Sequence, residues 1–315
     1  MSRKCSPSLE LILARCVGAY SDNTLRGYQN DLEQFVAWCK SRRRCWLPAS
    51  VKTVASFIEH ETADKSIATI KRRLYAIKFV HRMADLPLST AHSEVRLALR
   101  RAGRLKIRRP KQVPGLTVDL LEHIIAACPD TLAGRRDAAL ISVGYDTLCR
   151  SSELVAIRVD HLSGDGATVC IPRSKSDQLG DGRTAYLSAR TQKMVAEWLE
   201  FSGLAEGALF RSLHTGKLKT RHISTSSVRR IVKRAAARAR LEAKVAQGLS
   251  GHSMRIGAAQ DMMLAGIDTL GIMQVGGWRT YPALARYVEN ASGETLHRRR
   301  FEQLIGARGK VAGSV

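Results

Sequence analysis

Along residues 21–40, "SDNTLRGYQNDLEQFVAWCK" sets Leu25, Tyr28, Leu32, Phe35, Val36 and Cys39 at the spacing of one helix face, with Ser21 or Asp22 as N-cap. "SVKTVASFIEH" repeats the pattern, and "SIATIKRRLYAIKFVHRMA" carries Ile67, Ile70, Leu74 and Ile77 on one stripe. "STAHSEVRLALRR" supplies a fourth helix. A compact helical domain over 1–103 is predicted. The periodicity then stops at "RRAGRLKIRRPKQVPG", residues 100–115, which is rich in cations, has no acid and holds two prolines and two glycines. This reads as a basic linker, bounded at 104–116.

A second domain follows over 117–315. "TVDLLEHIIAA" and "RRDAALISVGYDTL" have helical spacing, whereas "ATVCIP" and "RTAYLS" alternate like strands around the turn-rich "RSKSDQLGDG", which predicts a hairpin. Helical pattern returns in "TQKMVAEWLEF", "STSSVRRIVKRAAARARL", "HSMRIGAAQDMMLAG" and "DTLGIMQV". The tail "GETLHRRRFEQLIGARGKVAGSV" predicts one last amphipathic helix and a frayed end. The fold class expected is mainly α in two domains, the second mostly helical with a small antiparallel β-sheet.

Composition changes the picture in one respect. Of 315 residues, 51 are Lys or Arg and 28 Asp or Glu, a net charge of +23 that favours a polyanionic partner, most often nucleic acid. No apolar run is long enough for a bilayer span, and the N-terminus lacks the apolar core and cleavage site of a secretion signal. The seven cysteines are scattered without a C-x-x-C pair, and the nine histidines show no ligand spacing. That predicts a reducing cytoplasm, no structural metal and no disulfide scaffold.

Small groups with chemical potential stand out against this background. "CRSSELV" places Arg150 and Glu153 three apart, as on one helix face. "GHSMRIG" places His252 and Arg255 at a helix start, where free N–H groups favour an anion. Lys175 falls at the hairpin tip. "GGWRTYPALARYVEN" holds Tyr281, before Pro282 at a turn, and Tyr287, inside a short helix. A phenol is a weak nucleophile unless cations stabilise its phenolate. Two arginines, a histidine, a lysine and a tyrosine, without metal ligands or a Gly-rich phosphate loop, suit a phosphodiester handled without Mg²⁺.

The order R-x-x-E, hairpin Lys, H-x-x-R, G-G-W and a Tyr nine residues past the Trp resembles the tyrosine recombinase, or phage integrase, family. "SGHSMRIGAAQDMMLAGIDTLGIMQVGGW" and "YDTLCRSSELVAIRVDHL" resemble its Cre-like branch, and the likeness spans essentially the whole chain. The resemblance implies a core-binding domain, a catalytic domain and a C-terminal exchange helix. It implies that Tyr287 attacks the scissile phosphate to give a 3′-phosphotyrosyl link, that Arg150 and Arg255 clamp the phosphate, that Lys175 protonates the leaving oxygen, and that His252 serves as base or hydrogen-bond partner. Trp278 stands where many relatives have a second histidine and can only donate. Glu153 supports the set, Tyr281 stands outside it, and neither cofactor nor ATP is required.

The same resemblance implies double-stranded DNA with an inverted-repeat target, a homotetramer on two sites, and no membrane or small-molecule partner. Leu296, Phe301, Leu304 and Ile305 form a stripe that either docks in a neighbouring subunit or packs on its own. DNA contacts are expected from Lys71 and Arg72 in the first domain, from Arg101, Arg104, Lys106, Arg108 and Arg109 around the linker, and from Arg229, Lys233 and Arg234 on the basic helix. Three alternatives stay open: a type IB topoisomerase-like enzyme, a non-enzymatic DNA-binding regulator on the same fold, and a basic structural or RNA-binding protein, which would not require the ordered set of site residues.

Overall fold

The computed structural model describes residues 8–87, 90–106, 112–172, 182–289 and 291. The chain divides into two compact units, Met1–Pro110 and Lys111–Val315. Among the described residues no helix is long and apolar enough to cross a membrane.

The first unit contains α1 (Leu9–Ala14), α2 (Asp22–Ser41), α3 (Val51–Glu61), α4 (Ile67–Met83) and α5 (Ser93–Leu105). Ser8, Ser21, Ser50 and Ser66 begin the first four, each side chain accepting a first-turn N–H. Ser21, Ser50 and Ser66 also bond the hydroxyls of Thr24, Thr53 and Thr69 at 2.9–3.1 Å. Each such cap contributes about 1 kcal/mol and fixes where its helix starts. The expected stripes close on one core that includes Leu32, Phe35, Ile58, Ile70 and Ile77.

The linker reading needs correction at its start. Helix α5 continues to Leu105, so Arg101 and Arg104 are helical. Its buried face is Val95, Ala98 and Ala102, each about as small as a side chain can be while still packing, and they lie in the first unit's core. Two alanines among four arginines make too faint a stripe to read from hydrophobicity.

Within that core His81 is 1% exposed. Its Nε2 accepts the Ala49 N–H at 2.8 Å, which obliges Nδ1 to carry the proton and donate to the Ile77 carbonyl at 2.8 Å. Burial holds the imidazole pKa below its usual value. The folded state therefore takes up this proton later than the unfolded one as pH falls. The stabilisation is complete above the unfolded value of about 6.5 and is lost as pH falls toward the folded value. Hydrogen exchange of α4 amides in the full chain is expected to speed up below about pH 6.5, after correction for intrinsic rates, and His81→Gln to remove that pH dependence.

The second unit runs α6 (Val118–Ala126), α7 (Leu132–Asp146), α8 (Ser151–Leu154), β1 (Thr168–Ile171), β2 (Arg183–Tyr186), α9 (Ala189–Ser202), β3 (Arg211–His214), β4 (Lys217–His222), α10 (Thr225–Arg238), α11 (Ala243–Gly248), α12 (Ser253–Leu264), α13 (Thr269–Gly276) and α14 (Tyr281–Val288). Helix α7 is the central beam, buried from Arg136 through Gly144. A Cβ on Gly144 would come within 2.7 Å of the Met254 sulfur, so α7 and α12 approach closely there. Strands β1 and β2 form the expected antiparallel hairpin, Thr168 opposite Tyr186 and Ile171 opposite Arg183. Strands β3 and β4 form a second hairpin that the sequence reading missed. Thr215 and Gly216 turn it with φ of 49° and 75°, the left-handed pair a two-residue hairpin loop requires.

Candidate active site

The site is assembled from the end of α7, the starts of α8 and α12, the end of α13, and α14. After α7 the chain turns through Leu148, whose φ of 51° ends the helix and brings Arg150 to the N-cap of α8. Arg150 and Glu153 thus do not share a helix face as the spacing suggested. Glu153, 3% exposed, accepts the Arg150 main-chain N–H at 3.1 Å and Nη1 at 2.6 Å. One buried carboxylate fixes both ends of the residue.

Two other arginines grip the turn before it. Arg183, from β2, donates to the Thr147 carbonyl at 2.6 Å and to the Val275 carbonyl at 2.8 Å. Arg255 donates Nη1 to the Leu148 carbonyl. Arg255 enters from the first turn of α12 and is fully buried. Gly251 permits the approach, since a Cβ there would meet the Ser151 hydroxyl at 2.4 Å.

The guanidinium carbon of Arg255 lies 3.9 Å from the Trp278 ring centroid and 5.3 Å from that of Tyr287. Its Nε and Nη2, and the Trp278 indole Nε1, are buried without a hydrogen-bond partner among the described residues. Leaving such donors unmatched costs about 1–3 kcal/mol each, a cost an anion's oxygens would remove. Burial, then the charge of Arg150, lowers the Arg255 pKa to about 10, against opposing pulls from Tyr287 and Glu153. The group stays cationic at neutral pH.

Trp278 packs edge-on against Tyr287, ring centroids 4.9 Å apart, and His252 lies 5.9 Å from the same ring. Dehydration, then Arg255 and Arg150, push the His252 pKa below its usual value, so its imidazole is neutral near pH 7 although one side stays open to solvent. The "GGW" sequence has a steric reason. Gly277 caps α13 with φ of 65°, and a Cβ on Gly276 would fall 1.9 Å from the indole ring. Tyr281 opens α14 and is 64% exposed.

The structure thus brings Arg150, Glu153, His252, Arg255, Trp278 and Tyr287 together. Lys175 lies outside the described residues, as do Arg108 and Arg109 and the stripe Leu296, Phe301, Leu304 and Ile305.

The other cations separate into two kinds. Arg72 makes a two-pronged pair with the buried Asp31 at 2.7 and 2.8 Å, Arg234 donates to the buried Asp137 at 2.8 Å, Arg101 sits 3.5 Å from Glu59, and Lys106 donates to the Ala63 carbonyl at 2.9 Å. Lys71, Arg104, Arg229 and Lys233 form no ion pair among the described residues. Lys71 and Arg104 line a groove of about 570 Å³ between α4 and α5, together with Arg96 and Arg100. A cleft of about 520 Å³ between the β3–β4 hairpin and α10 gathers Arg136, Arg221, Arg230 and Arg234. Sequence reading named only the last of these four. Arg221 lies on β4, which was not recognised as a strand, and Arg136 and Arg230 lie on helices whose pairing across the cleft no local pattern shows. Sequence reading also passed over Arg183, which carries no motif.

Comparison with known proteins gives this assembly its place. The model described as "Phage integrase family" matches residues 115–294, and that described as "Phage integrase, N-terminal SAM-like domain" matches residues 14–85. The chain belongs to the phage integrase family. Within it, it is a tyrosine recombinase: it is 28% identical over 298 residues to Recombinase cre of Escherichia phage P1, covering 88% of this chain and 87% of that protein. It is 31% identical over 287 residues to the Integrase/recombinase xerD homolog of Selenomonas ruminantium, covering 86% and 83%. The fold is similar to that of the Tn1549 transposon integrase in complex with circular intermediate DNA, with a TM-score of 0.65, 13% identity and coverage of 92% and 98%. It is also similar to that of the XerH recombinase bound to a palindromic difH substrate, with a TM-score of 0.60, 16% identity and coverage of 94% and 93%.

Proposed function

We propose that this protein cuts and rejoins duplex DNA at a specific site through a 3′-phosphotyrosyl intermediate on Tyr287, as a homotetramer on two DNA sites in the cytoplasm. The observation that carries the reading is Arg255, a buried cation beside the Tyr287 ring with two of its nitrogens unpaired. Non-bridging phosphate oxygens match such donors, and Arg150, held by Glu153, supplies the second fork.

In the first step the Tyr287 oxygen attacks phosphorus and the P–O5′ bond breaks. Neutral His252 receives or steadies the phenol proton, and Lys175 gives a proton to the departing 5′ oxygen. The indole N–H of Trp278 donates to the developing charge on a phosphoryl oxygen. In the second step the 5′-hydroxyl of the other duplex attacks the phosphotyrosine and releases the phenol. One phosphodiester replaces another, so the exchange needs neither ATP nor metal. The groove between α4 and α5 and the cleft beside α10 are the surfaces that hold the DNA backbone in this reading. Recombination by Cre and XerD-type relatives, and the palindromic duplex bound by XerH, support the inverted-repeat target.

The test is covalent trapping. Wild-type protein is mixed with a pool of duplexes carrying a randomised inverted repeat and a nick between the half-sites, so that the cleaved end diffuses away. A detergent-resistant protein–DNA adduct supports the reading. Tight binding without an adduct supports a regulator instead, and relaxation of supercoiled plasmid lacking the recovered site supports a topoisomerase-like activity. On the recovered duplex, affinity is expected to fall roughly 10³–10⁵-fold from about 50 to about 200 mM salt, if about 6–10 phosphates are neutralised. A flat titration would refute the phosphate-holding surfaces.

A further inference from the structure

The second unit begins with a strap that lies along α12 and ends on the nucleophile helix. The Val118 N–H donates to Asp261 at 2.8 Å, and the Leu116 N–H donates to the Ser253 carbonyl at 2.8 Å. A Cβ on Gly257 would fall 1.8 Å from the Leu116 carbonyl oxygen, and one on Gly115 would fall 2.3 Å from Gln260 Oε1, so strap and helix are in contact at main-chain distance. At the start of the strap, Gln112 Nε2 donates to the main-chain carbonyls of Arg286 and, at 3.3 Å, of Tyr287. Gln260, 6% exposed on α12, adds its own Nε2 to the Tyr287 carbonyl at 3.4 Å.

These carbonyls belong to the last turn of α14, where a helix has no N–H of its own to offer. An eight-residue helix is held mainly by its surroundings, so whatever bonds its end fixes its rotation. The Tyr287 ring projects from the same residue whose carbonyl is gripped. A rotation of about 10–20° is enough to take a reacting side chain out of productive geometry.

We propose that Gln112 and Gln260 are positioning residues for Tyr287. Their carboxamide N–H groups lock the end of α14, so that the phenol faces the phosphate clamp of Arg150 and Arg255. In sequence, Gln112 follows directly on the basic run that ends at Lys111. The inference rests on Tyr287 being the nucleophile.

The experiment uses the full-length protein and the nicked duplex recovered by covalent trapping with the wild type. Gln112→Met and Gln260→Met keep side-chain length and remove the donor, while Gln112→Lys restores a donor. Each is assayed well below its melting midpoint for two quantities: affinity, and the adduct-forming rate at saturating DNA. The methionine variants are expected to form adduct about 10- to 100-fold more slowly at unchanged affinity. Gln112→Lys is expected to regain most of the lost rate. Gln112 is partly exposed, so its replacement opens no core cavity. Wild-type rates in both methionine variants would overturn the inference while leaving the functional reading intact. So would a loss of affinity with the saturating rate preserved, or no recovery in Gln112→Lys. Failure of the wild type to form any adduct would overturn the functional reading, and this inference with it.

Discussion

Tyr287→Phe is expected to bind the recovered duplex as tightly as the wild type and to form no detergent-resistant adduct, a fall in cleavage rate of at least about 10⁴-fold. The substitution removes one oxygen and leaves the ring, so the edge-on contacts with Trp278 and His252 survive. In the proposed mechanism the phosphate still meets Arg150 and Arg255, so affinity is expected to persist. Tyr281 has no route to replace it. Six residues along a helix is about 240° of rotation, and its ring is solvent-exposed at the first turn. Gel-shift titration and adduct yield on the same duplex check both halves. Residual cleavage near the wild-type rate would show that another nucleophile does the work.

Arg255→Gln is expected to move activity and stability in opposite directions. Its adduct-forming rate should fall about 10²–10³-fold, the usual effect of losing one charge-stabilising contact, about 3–4 kcal/mol. Its melting midpoint should stay level or rise. The wild-type guanidinium is buried, is pushed to a lowered pKa of about 10 by dehydration and by Arg150, and leaves two nitrogens unpaired. A neutral amide in its place still offers an N–H toward the Leu148 carbonyl and relieves the burial of charge. Arg255→Lys should not restore the rate, because an ammonium lacks the planar fork that grips two oxygens. Parallel loss of rate and midpoint in Arg255→Gln would mean that the arginine serves the fold rather than the phosphate.

Where the sequence was informative, the structure shows why. Helices α2, α3 and α4 bury large side chains at regular spacing behind serine caps, and both signals are written in residue types. The end of α5 was hidden because its packing face is alanine, and β3–β4 was hidden because Arg, His and Lys interrupt its alternation. The motif residues could be listed from their order alone. Of what orients them, only Glu153 could. Arg183, Arg255, Gln112 and Gln260 each donate to main-chain carbonyls, which look the same at every position of a sequence. The carboxylates that engage Arg72 and Arg234 lie 41 and 97 positions away, beyond any local pattern. Cationic helices therefore announced a polyanion, but not which of their arginines are free to meet it.

The close fit of the indole over Gly276 ties two positions into one choice. A glycine before the cap leaves room for a bicyclic ring, and a smaller imidazole there would leave a void in the wall behind the phenol. Lineages that drift between tryptophan and histidine at 278 should therefore change 276 in step, gaining bulk as the ring loses it. Anyone retuning this enzyme toward a proton-shuttling wall would have to make the exchange as a pair.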